Sequence, residues 1–500
     1  MATLILRADG GGSLGTGHMM RLFALAQSWK DAGGQSILLT AASEPRLDAR
    51  FEAEGIPIMR LAMEPGSRED ARRTAEVARA AAASWVAMDG YLFDGCYQRT
   101  VEDEGVRVLF LDDYGHCRHY SASLVLNQNV HAAETLYASR ETSTRLLLGA
   151  RFVLLRREFL EFPRRPREAR ATADRILLTL GGGDPENATL ALAHAALGCG
   201  VPGLSVRTIV GPANAHLRTR IADLDTPPGL RFLTDVLEMA PHLDWAELAV
   251  AAGGTTAWEI AFMGLPAVLV VLSENQVEVA RGLAEAGVAI NVGRYAPDCA
   301  RNVAEAVAGL LDDPARRDAM SRRGRELVDG GGGARVVTEM LGEELMLRRV
   351  RESDCRLLWE WANDAGTRAA SFSRASIPWE DHLAWFRRKT SAPDCLFLVA
   401  LDREARPVGQ VRYDLSGEEA VMSVSLARER RGEGLGPRLI TLASRRLFRE
   451  TFAARILALV KEENRASGGA FLKAGFGLVG RQRVGECESL RLLLERNSAS

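Results

Sequence analysis

The chain has 500 residues, of which 47% are hydrophobic and 26% charged, and its formal net charge is −2. This length is more than one hydrophobic core supports and predicts about three domains, since a domain usually holds roughly 100–200 residues. The composition is that of an ordinary globular protein and excludes the disordered and fibrous classes. The nearly neutral charge argues against a nucleic-acid-binding protein.

Apolar runs and cysteines restrict the cellular setting. The longest apolar runs, such as residues 265–272, are far shorter than the roughly 20 residues that a membrane-spanning helix needs, so we expect no membrane partner. The N-terminus enters a strand-like run without a signal-peptide pattern, which predicts a cytoplasmic protein. Seven scattered cysteines form no CxxC pair, which argues against a disulfide framework and against a zinc site.

The charges are distributed unevenly along the chain. Residues 346–500 carry 27 Lys and Arg against 20 Asp and Glu, a balance of +7, which leaves −9 for residues 1–345. The change predicts a separate C-terminal module that begins near Met346. A basic surface of this kind attracts a polyphosphate ligand, although a merely solvated surface has the same composition.

Two sets of strand-like runs alternate with helical patterns. The first set lies at residues 3–6, 36–39, 85–88, 107–111 and 124–126, and the second lies at residues 175–180, 206–210, 248–251 and 267–272. This alternation predicts two doubly wound domains with parallel sheets, over residues 1–160 and 171–345, joined by a Pro- and Arg-rich linker at residues 161–170. In such sheets ligands bind beyond the carboxyl ends of the strands.

The first candidate site is the stretch SLGTGHMMR, residues 13–21, between the first strand and a helix expected over residues 22–32. Its glycines let the backbone approach a ligand, and the first turn of a helix offers unpaired N–H groups to an anion. His18 is expected on that turn, where the helix dipole disfavours the imidazolium form and keeps the ring neutral, as a general base must be. A capping histidine without chemistry is the alternative.

Three more loops follow predicted strands. They are Asp89-Gly90-Tyr91, Gly181-Gly182-Gly183-Asp184-Pro185, and the segment Gly253-Gly254-Thr255-Thr256-Ala257-Trp258-Glu259. The last segment forms a strand-to-helix corner that fits a diphosphate, and Glu259, one turn into the helix, can accept hydrogen bonds from ribose hydroxyls. The sequence therefore predicts a nucleotide-sugar site shared by the two doubly wound domains.

Together these motifs resemble the UDP-sugar hydrolases of pseudaminic acid biosynthesis, over roughly residues 1–345. The resemblance adds Arg7-Ala8-Asp9 ahead of the glycine loop and the pair Asn275-Gln276 near the end. It implies the two-domain glycosyltransferase-B fold. It also implies hydrolysis of UDP-2,4-diacetamido-2,4,6-trideoxy-β-L-altropyranose to the free sugar and UDP, with inversion at the anomeric carbon.

The same resemblance implies roles for individual residues. His18 is the base that activates water, Asp9 orients His18, and Tyr91 lines the sugar pocket. The implied substrate- and UDP-binding residues are Gly15, Gly17, Arg21, Asp89, Gly182, Gly253, Gly254, Thr255, Thr256, Glu259, Asn275 and Gln276. The chemistry needs a positioned water, one base and stabilisation of the departing phosphate, so no metal is expected.

In the basic module, a strand-like run at residues 421–426 precedes Arg431-Gly432-Glu433-Gly434-Leu435-Gly436, and a helix is expected from Pro437. Such a loop directs backbone N–H groups at a pyrophosphate. With Asn464, Ser467, Lys473, Gly475 and Phe476, it resembles the GNAT acetyltransferases, over most of residues 346–485, and residues 361–386 look like the subset that acetylates amino sugars. The fold class expected for the whole chain is therefore α/β, with a GNAT domain over residues 346–500.

The GNAT resemblance implies acetyl-CoA as the co-substrate. The implied acetyl-CoA residues are Leu426, Arg431, Gly432, Gly434, Leu435, Gly436, Asn464, Ser467 and Phe471. Two positions depart from the pattern, because Val421 replaces the usual glutamate base and Phe471 replaces the usual tyrosine acid. Either groups acting through water, such as Glu418, Glu419 or Ser423, take over, or the domain is slow or only binds acetyl-CoA.

The sequence thus indicates a bifunctional enzyme for consecutive steps on one UDP-amino-sugar. The C-terminal domain would acetylate the 4-amine of UDP-4-amino-4,6-dideoxy-N-acetyl-β-L-altrosamine, and the first two domains would then release UDP. The resemblance also implies a role in flagellin or surface-polysaccharide glycosylation. The alternative is a glycosyltransferase of the same fold that passes the sugar to an acceptor, with a GNAT domain that only binds acetyl-CoA.

Overall fold

A computed structural model describes residues 2–10, 16–163, 167, 170–184, 186–212, 214–296 and 298–496. These residues fold as two compact units, which we treat separately. One unit contains residues 2–30 and 35–336, and the other contains residues 31–34 and the chain from residue 337 onward. Gly15, Pro185 and half of the predicted linker, residues 164–166 and 168–169, lie outside the described residues.

The first sheet of the larger unit is parallel and has the order β3-β2-β1-β4-β5-β6-β7. Its strands are β1 Thr3–Ala8, β2 Gln35–Thr40, β3 Ile58–Arg60, β4 Ala83–Asp89, β5 Arg107–Leu111, β6 Leu124–Asn127 and β7 Arg145–Leu148. The helices of this region are α1 Gly17–Asp31, α2 Pro45–Ala53, α3 Arg68–Ala80, α4 Gly95–Glu102 and α5 Arg157–Glu161. The strand order reverses between β1 and β4, where doubly wound folds bind their ligands.

The second sheet of this unit is also parallel, with the order β10-β9-β8-β11-β12-β13. Its strands are β8 Arg175–Thr179, β9 Ser205–Ile209, β10 Leu230–Leu233, β11 Leu248–Ala252, β12 Ala267–Val271 and β13 Ala289–Arg294. The helices are α6 Ala188–Leu197, α7 Ala215–Arg220, α8 Ala240–Trp245, α9 Thr255–Phe262, α10 Val277–Glu285, α11 Cys299–Leu311, α12 Pro314–Leu327 and α13 Gly332–Leu341. Its order reverses between β8 and β11.

The central strands of both parallel sheets are apolar on both faces. Every residue of β11 and of β12 is buried, as a strand covered by helices on both sides requires. The sequence patterns located these strands to within a few residues and missed β3, β7, β10 and β13. These four strands are the edges of their sheets, and their burial is incomplete.

The smaller unit contains a mixed sheet with the order β14-β15-β16-β17-β18-β20-β19. Its strands are β14 Leu345–Arg349, β15 Cys395–Asp402, β16 Pro407–Ser416, β17 Glu419–Leu426, β18 Arg455–Lys461, β19 Gly477–Val484 and β20 Cys487–Glu495. The helices are α14 Cys355–Asn363, α15 Ala365–Ala370, α16 Trp379–Ser391, α17 Leu435–Glu450 and α18 Arg465–Lys473. Neighbouring strands are antiparallel except for β17 and β18, which pair in parallel.

The architecture confirms the predicted class of two doubly wound α/β domains followed by a smaller α/β domain. The domain limits at residues 160, 171 and 345 stay predictions. α13 ends at Leu341, and three residues separate it from β14, which begins at Leu345. No helix in the described part of the chain is both long and apolar enough to cross a membrane.

Candidate active sites

The first site forms where the order of the first sheet reverses. Asp89 is the last residue of β4, and Asp113 follows the end of β5 by two residues. His18 and Arg21 lie on the first turn and a half of α1, the helix that follows β1. Because parallel strands present their carboxyl ends at one edge, the fold brings these four side chains together.

The His18 ring is held by the Asp89 carboxylate. Nδ1 of His18 lies 2.6 Å from Oδ1 of Asp89, and the Asp89 side chain is fully buried. Nη2 of Arg21 also lies 3.2 Å from Nδ1, but an ionised carboxylate only accepts hydrogen bonds, and from the shorter Asp89 contact we infer that Nδ1 carries the hydrogen of the neutral ring and Nε2 the lone pair. The ring of Tyr91 packs edge-on against the His18 ring, with an interplanar angle of 86° and ring centroids 4.9 Å apart. This is the arrangement of a general base with a fixed tautomer.

Arg21 bridges the two buried carboxylates. Its Nε and Nη2 donate to Asp89 at 2.8 and 2.7 Å, and its Nη1 donates to Oδ1 of Asp113 at 2.5 Å. Burial alone would lower the pKa of Arg21, but the charges of Asp113 and Asp89 outweigh burial and raise it well above its usual range. The guanidinium therefore stays charged and fixes the position of Asp89.

Asp113 links this cluster to Tyr91. The hydroxyl of Tyr91 donates to Oδ2 of Asp113 at 2.7 Å, and Nδ2 of Asn129 donates to Oδ1 at 3.0 Å. Burial raises the pKa of Asp113, but the charge and hydrogen bonds of Arg21 together with the Tyr91 hydroxyl lower it well below its usual range. Burial and the charge of Asp113 raise the pKa of Tyr91, so its hydroxyl remains a donor. Sequence analysis missed Asp113, although an Asp-Asp pair after a buried strand is a usable signal.

The expected role of Asp9 is wrong in this structure. Its carboxylate accepts hydrogen bonds from Arg7 at 2.7 Å, from the Thr40 hydroxyl at 3.0 Å and from the backbone N–H of Ala41 at 2.6 Å. Asp9 therefore organises the neighbouring β2 side of the sheet, since β1 pairs with β2 there. Asp89, which ends the strand on the other side of β1, orients His18 instead.

Two loops of the second sheet approach the His18 loop. A Cβ on Gly17 would lie 3.1 Å from the Thr255 hydroxyl, at the first residue of α9. A Cβ on Gly182 would overlap the side chain of Thr16, two residues before His18. The loops after β8 and β11 and the start of α1 thus converge, and Gly253 and Gly254 lead directly into the α9 N-terminus. Thr255 and Thr256 supply the first N–H groups of α9, where anions bind.

Three other predicted UDP ligands have partners of their own. Glu259 is 5% exposed, and its Oε1 accepts from Nε of Arg156 at 2.9 Å. Oε1 of Gln276 accepts from the backbone N–H of Leu272 at 2.9 Å. Nδ2 of Asn275 donates to the hydroxyl of Tyr91 at 3.1 Å. Their contacts with UDP stay predictions, while the Asn275 bond connects the second sheet to the His18 cluster through Tyr91.

The second site lies in the smaller unit, where β17 and β18 separate. Their parallel pairing runs from Glu419 with Arg455 to Met422 with Ala458, although β17 continues to Leu426 and β18 to Lys461. Residues 423–426 therefore offer backbone groups on the β18 side beyond the last paired residue. The glycine loop follows, and Gly434 caps α17 with φ of 77°, a conformation that a side chain would strain. Leu435 and Gly436 form the first turn of α17 beside Gly432 of the same loop.

The Arg431 side chain connects the glycine loop to neighbouring elements through three contacts. Its Nη1 lies 2.8 Å from Asp364, its Nη2 donates to the Thr367 hydroxyl at 2.9 Å, and its Nε donates to the carbonyl of Leu426 at 3.2 Å. The side chain is 36% exposed. Arg431 thus connects the end of β17 with α15. Binding of a pyrophosphate by Arg431 stays a prediction.

The remaining predicted acetyl-CoA residues differ in their surroundings. The side chain of Asn464 accepts from the backbone N–H of Ser467 at 3.1 Å and caps α18. Phe471 is 2% exposed and packs edge-on against Phe476 with centroids 5.0 Å apart. We therefore correct the expectation that Phe471 contacts acetyl-CoA, because its ring belongs to the hydrophobic core. His382 is also buried, and its Nε2 bonds to the carbonyl of Cys355, as a structural histidine does.

Among the residues that the structure describes, no group of three or more His, Cys, Asp or Glu side chains is arranged to hold a metal ion.

Comparison with family models identifies two parts of the chain. Residues 344–477 match the acetyltransferase (GNAT) domain, and residues 203–329 match the glycosyltransferase family 28 C-terminal domain. The chain therefore carries a GNAT acetyltransferase domain behind Rossmann-like domains of the glycosyltransferase-B type, as the resemblances implied.

Two relatives align over most of their own length. The spore coat polysaccharide biosynthesis protein SpsG of Bacillus subtilis is 24% identical over 341 residues, which are 66% of this chain and 95% of the relative. The uncharacterized protein MJ1062 of Methanocaldococcus jannaschii is 19% identical over 420 residues, 81% of each chain.

Two solved structures match different shares of the chain at low sequence identity. MurG of Acinetobacter baumannii matches with a TM-score of 0.46 and 18% identity, over 69% of this chain and 100% of MurG. The spermidine N-acetyltransferase of Vibrio cholerae, in complex with CoA and spermine, matches with a TM-score of 0.30 and 17% identity, over 31% of this chain and 98% of the other.

Gly182→Ala tests the contact between the Gly182 loop and the His18 loop. The new methyl group would collide with Thr16, so we expect a lower melting temperature and weaker nucleotide binding, measured by calorimetry. The double variant Gly182→Ala with Thr16→Ala removes the colliding atoms and should recover most of both losses, while Thr16→Ala alone serves as its control. Equal nucleotide affinity in all four proteins would contradict the close contact.

Asp113→Asn tests the electrostatic cluster through acid stability. The pKa of Asp113 in the folded state lies below the value of about 3.9 for the unfolded chain. At pH values between these two pKa values, the unfolded state therefore binds more protons than the folded state. The ionised Asp113 carboxylate therefore adds to the free energy of unfolding. This stabilisation is complete above about pH 5 and is lost as the pH falls below about 4. Urea unfolding from pH 3 to 6 should therefore show a shallower acid loss in Asp113→Asn. Asp225→Asn controls for removal of an exposed carboxylate, and an unchanged slope in Asp113→Asn would refute the coupling.

Proposed function

We propose that the Rossmann-like domains hydrolyse UDP-2,4-diacetamido-2,4,6-trideoxy-β-L-altropyranose to the free sugar and UDP, with inversion. The observation that carries the proposal is the bond between Nδ1 of His18 and Asp89, which leaves Nε2 with the lone pair. Nε2 takes a proton from water, and the water oxygen attacks the anomeric carbon as the C–O bond to UDP breaks. The N–H groups at the start of α9 stabilise the departing diphosphate.

The nucleotide part of the proposal rests on the second sheet. The match to the glycosyltransferase family 28 C-terminal domain and the corner from Gly253 to Thr256 support a nucleotide sugar as the ligand. The name of the SpsG relative, a polysaccharide biosynthesis protein, supports carbohydrate metabolism. We also propose that the enzyme is cytoplasmic and serves pseudaminic acid synthesis for surface glycans.

The family 28 match also favours a second candidate, transfer of the sugar to an acceptor. Both reactions use the same donor site, and a general base serves either water or an acceptor hydroxyl. UDP release from the nucleotide sugar alone supports hydrolysis, whereas release that depends strictly on an acceptor supports transfer.

For the GNAT domain, we propose that it transfers the acetyl group of acetyl-CoA to the 4-amine of the precursor UDP-sugar. The separation of β17 from β18 and the loop capped by Gly434 support acetyl-CoA binding. Because both active sites are on one chain, the product of acetyl transfer is close to the hydrolytic site, whose effective concentration is therefore higher than in free solution. This gives the fusion a physical reason.

His18→Ala tests the hydrolytic proposal. Loss of the base should lower kcat for UDP release by roughly 10²–10⁴-fold while the Kd for UDP stays within about twofold, since the second sheet holds the nucleotide. UDP release is followed by a coupled assay, and UDP affinity by calorimetry. His194→Ala, at an exposed position of α6, should behave as wild type. Wild-type turnover in His18→Ala would eliminate the proposed base.

Mass spectrometry tests the acetyl transfer. The purified chain, mixed with the UDP-4-amino-sugar, should add one acetyl group only when acetyl-CoA is present. Gly434→Val should abolish this gain, because a β-branched side chain is strained at φ of 77° and the loop cannot keep this conformation. Binding of acetyl-CoA without any acetylated product would instead favour a domain that only binds the coenzyme.

A further inference from the structure

One face of the mixed sheet carries polar side chains where a buried sheet is usually apolar. Gln410, Arg412 and Asp414 alternate along β16 and share a face, while Val411 and Tyr413 point to the opposite face and are fully buried. In the antiparallel register with β17, Gln410 lies opposite Ser425, Arg412 opposite Ser423 and Asp414 opposite Val421. Five of these six facing residues are therefore polar.

This face is open at the point where β17 and β18 separate. β17 is the central strand of the sheet, yet Ser423 is exposed, so none of the residues that the structure describes covers the sheet there. Ser423 is also the first residue beyond the last pair of β17 with β18. The opening therefore meets the backbone groups of residues 423–426, and this segment ends in Leu426, one of the residues expected to bind acetyl-CoA.

Asp414 is the carboxylate that lies across from the missing glutamate. Directly opposite residues of an antiparallel pair have Cβ atoms about 4.5–5.5 Å apart, so the side chains of Asp414 and Val421 leave the sheet as neighbours. Nζ of Lys389 donates to Oδ1 of Asp414 at 2.8 Å, and Nε of Arg412 donates to Oδ2 at 3.2 Å. Nη2 of Arg412 also lies 3.2 Å from Oδ2, whereas Oδ1 has Lys389 as its partner and can accept a further hydrogen bond.

Lys389 and Arg412 keep this carboxylate charged and in place. Burial raises the pKa of Asp414, but the hydrogen bond from Lys389 and the charge of Arg412 outweigh it and lower the pKa below its usual value. Arg412 is itself stacked on Trp385 of α16, with the guanidinium carbon 5.0 Å from the ring centroid. The Asp414 side chain is still 35% exposed, so a ligand can reach it.

We propose that Asp414 is the catalytic carboxylate of the acetyl transfer and binds the acceptor amine in place of a glutamate at position 421, an inference that rests on the proposed acetyltransferase function. The amine nitrogen bonds to the acetyl carbonyl carbon, and the bond from that carbon to the coenzyme A sulfur breaks. One amine proton passes to Asp414, directly or through one water, and on to solvent. The thiolate takes a proton from water, which completes the products as an amide and free coenzyme A.

The experiment measures thiol release by the full-length chain with acetyl-CoA and the UDP-4-amino-sugar. Asp414→Asn should lower kcat about 10²-fold, the lower end of general-base contributions, while the KM for acetyl-CoA stays unchanged. Adding Val421→Glu to Asp414→Asn returns a carboxylate to the same opening and should recover at least about tenfold of the loss. Asp394→Asn, at an exposed position before β15, is the matched control and should behave as wild type.

The outcomes separate the inference from the proposed function. Wild-type kcat in Asp414→Asn, or no recovery in the double variant, overturns the role of Asp414 and leaves acetyl transfer standing. A wild-type chain that binds acetyl-CoA but releases no thiol overturns the acetyltransferase proposal and the inference with it. Melting temperature and acetyl-CoA affinity, measured for every variant, exclude misfolding as the cause of a lost rate.

Discussion

The active site of the Rossmann-like domains depends on one buried cation, the guanidinium of Arg21. Asp89 ends β4 and Asp113 follows the end of the neighbouring strand β5 by two residues, and two carboxylates at such positions repel each other unless a positive charge lies between them. Arg21 supplies that charge and, with its planar set of donors, also fixes the orientation of both carboxylates. The tautomer of His18, the donor state of Tyr91 and the bond from Asn275 all follow from this arrangement.

The buried strands of the two parallel sheets could be predicted from the sequence, whereas the strands at the sheet edges could not. Buried strands such as β11 and β12 are continuous apolar runs, which the sequence displays directly. All four strands missed in the parallel sheets are edges, and β3 for example has no fully buried residue. An edge strand has one free side and needs no long apolar run, so these strands are short or only partly apolar and are harder to recognise in the sequence.

The candidate site was predictable as a set of loops but not as a set of contacts. The strand-to-loop corners identified His18, Arg21, Asp89 and Tyr91, since every strand of a parallel sheet delivers its carboxyl end to one edge. The family resemblance implied Asp9 as the partner of His18, whereas pairing in the sheet brings Asp89 to it across 71 positions. The same limit hid Asp414, which faces Val421 only through the register of β16 with β17.

NMR of the chain labelled with ¹⁵N-histidine measures the tautomer of His18. At a pH where the ring is neutral, we expect the hydrogen of His18 on Nδ1, and we expect Asp89→Asn to weaken this preference. A neutral His18 ring with its hydrogen on Nε2 would rule out the proposed base, because the nitrogen that has to accept a proton from water would then already be protonated.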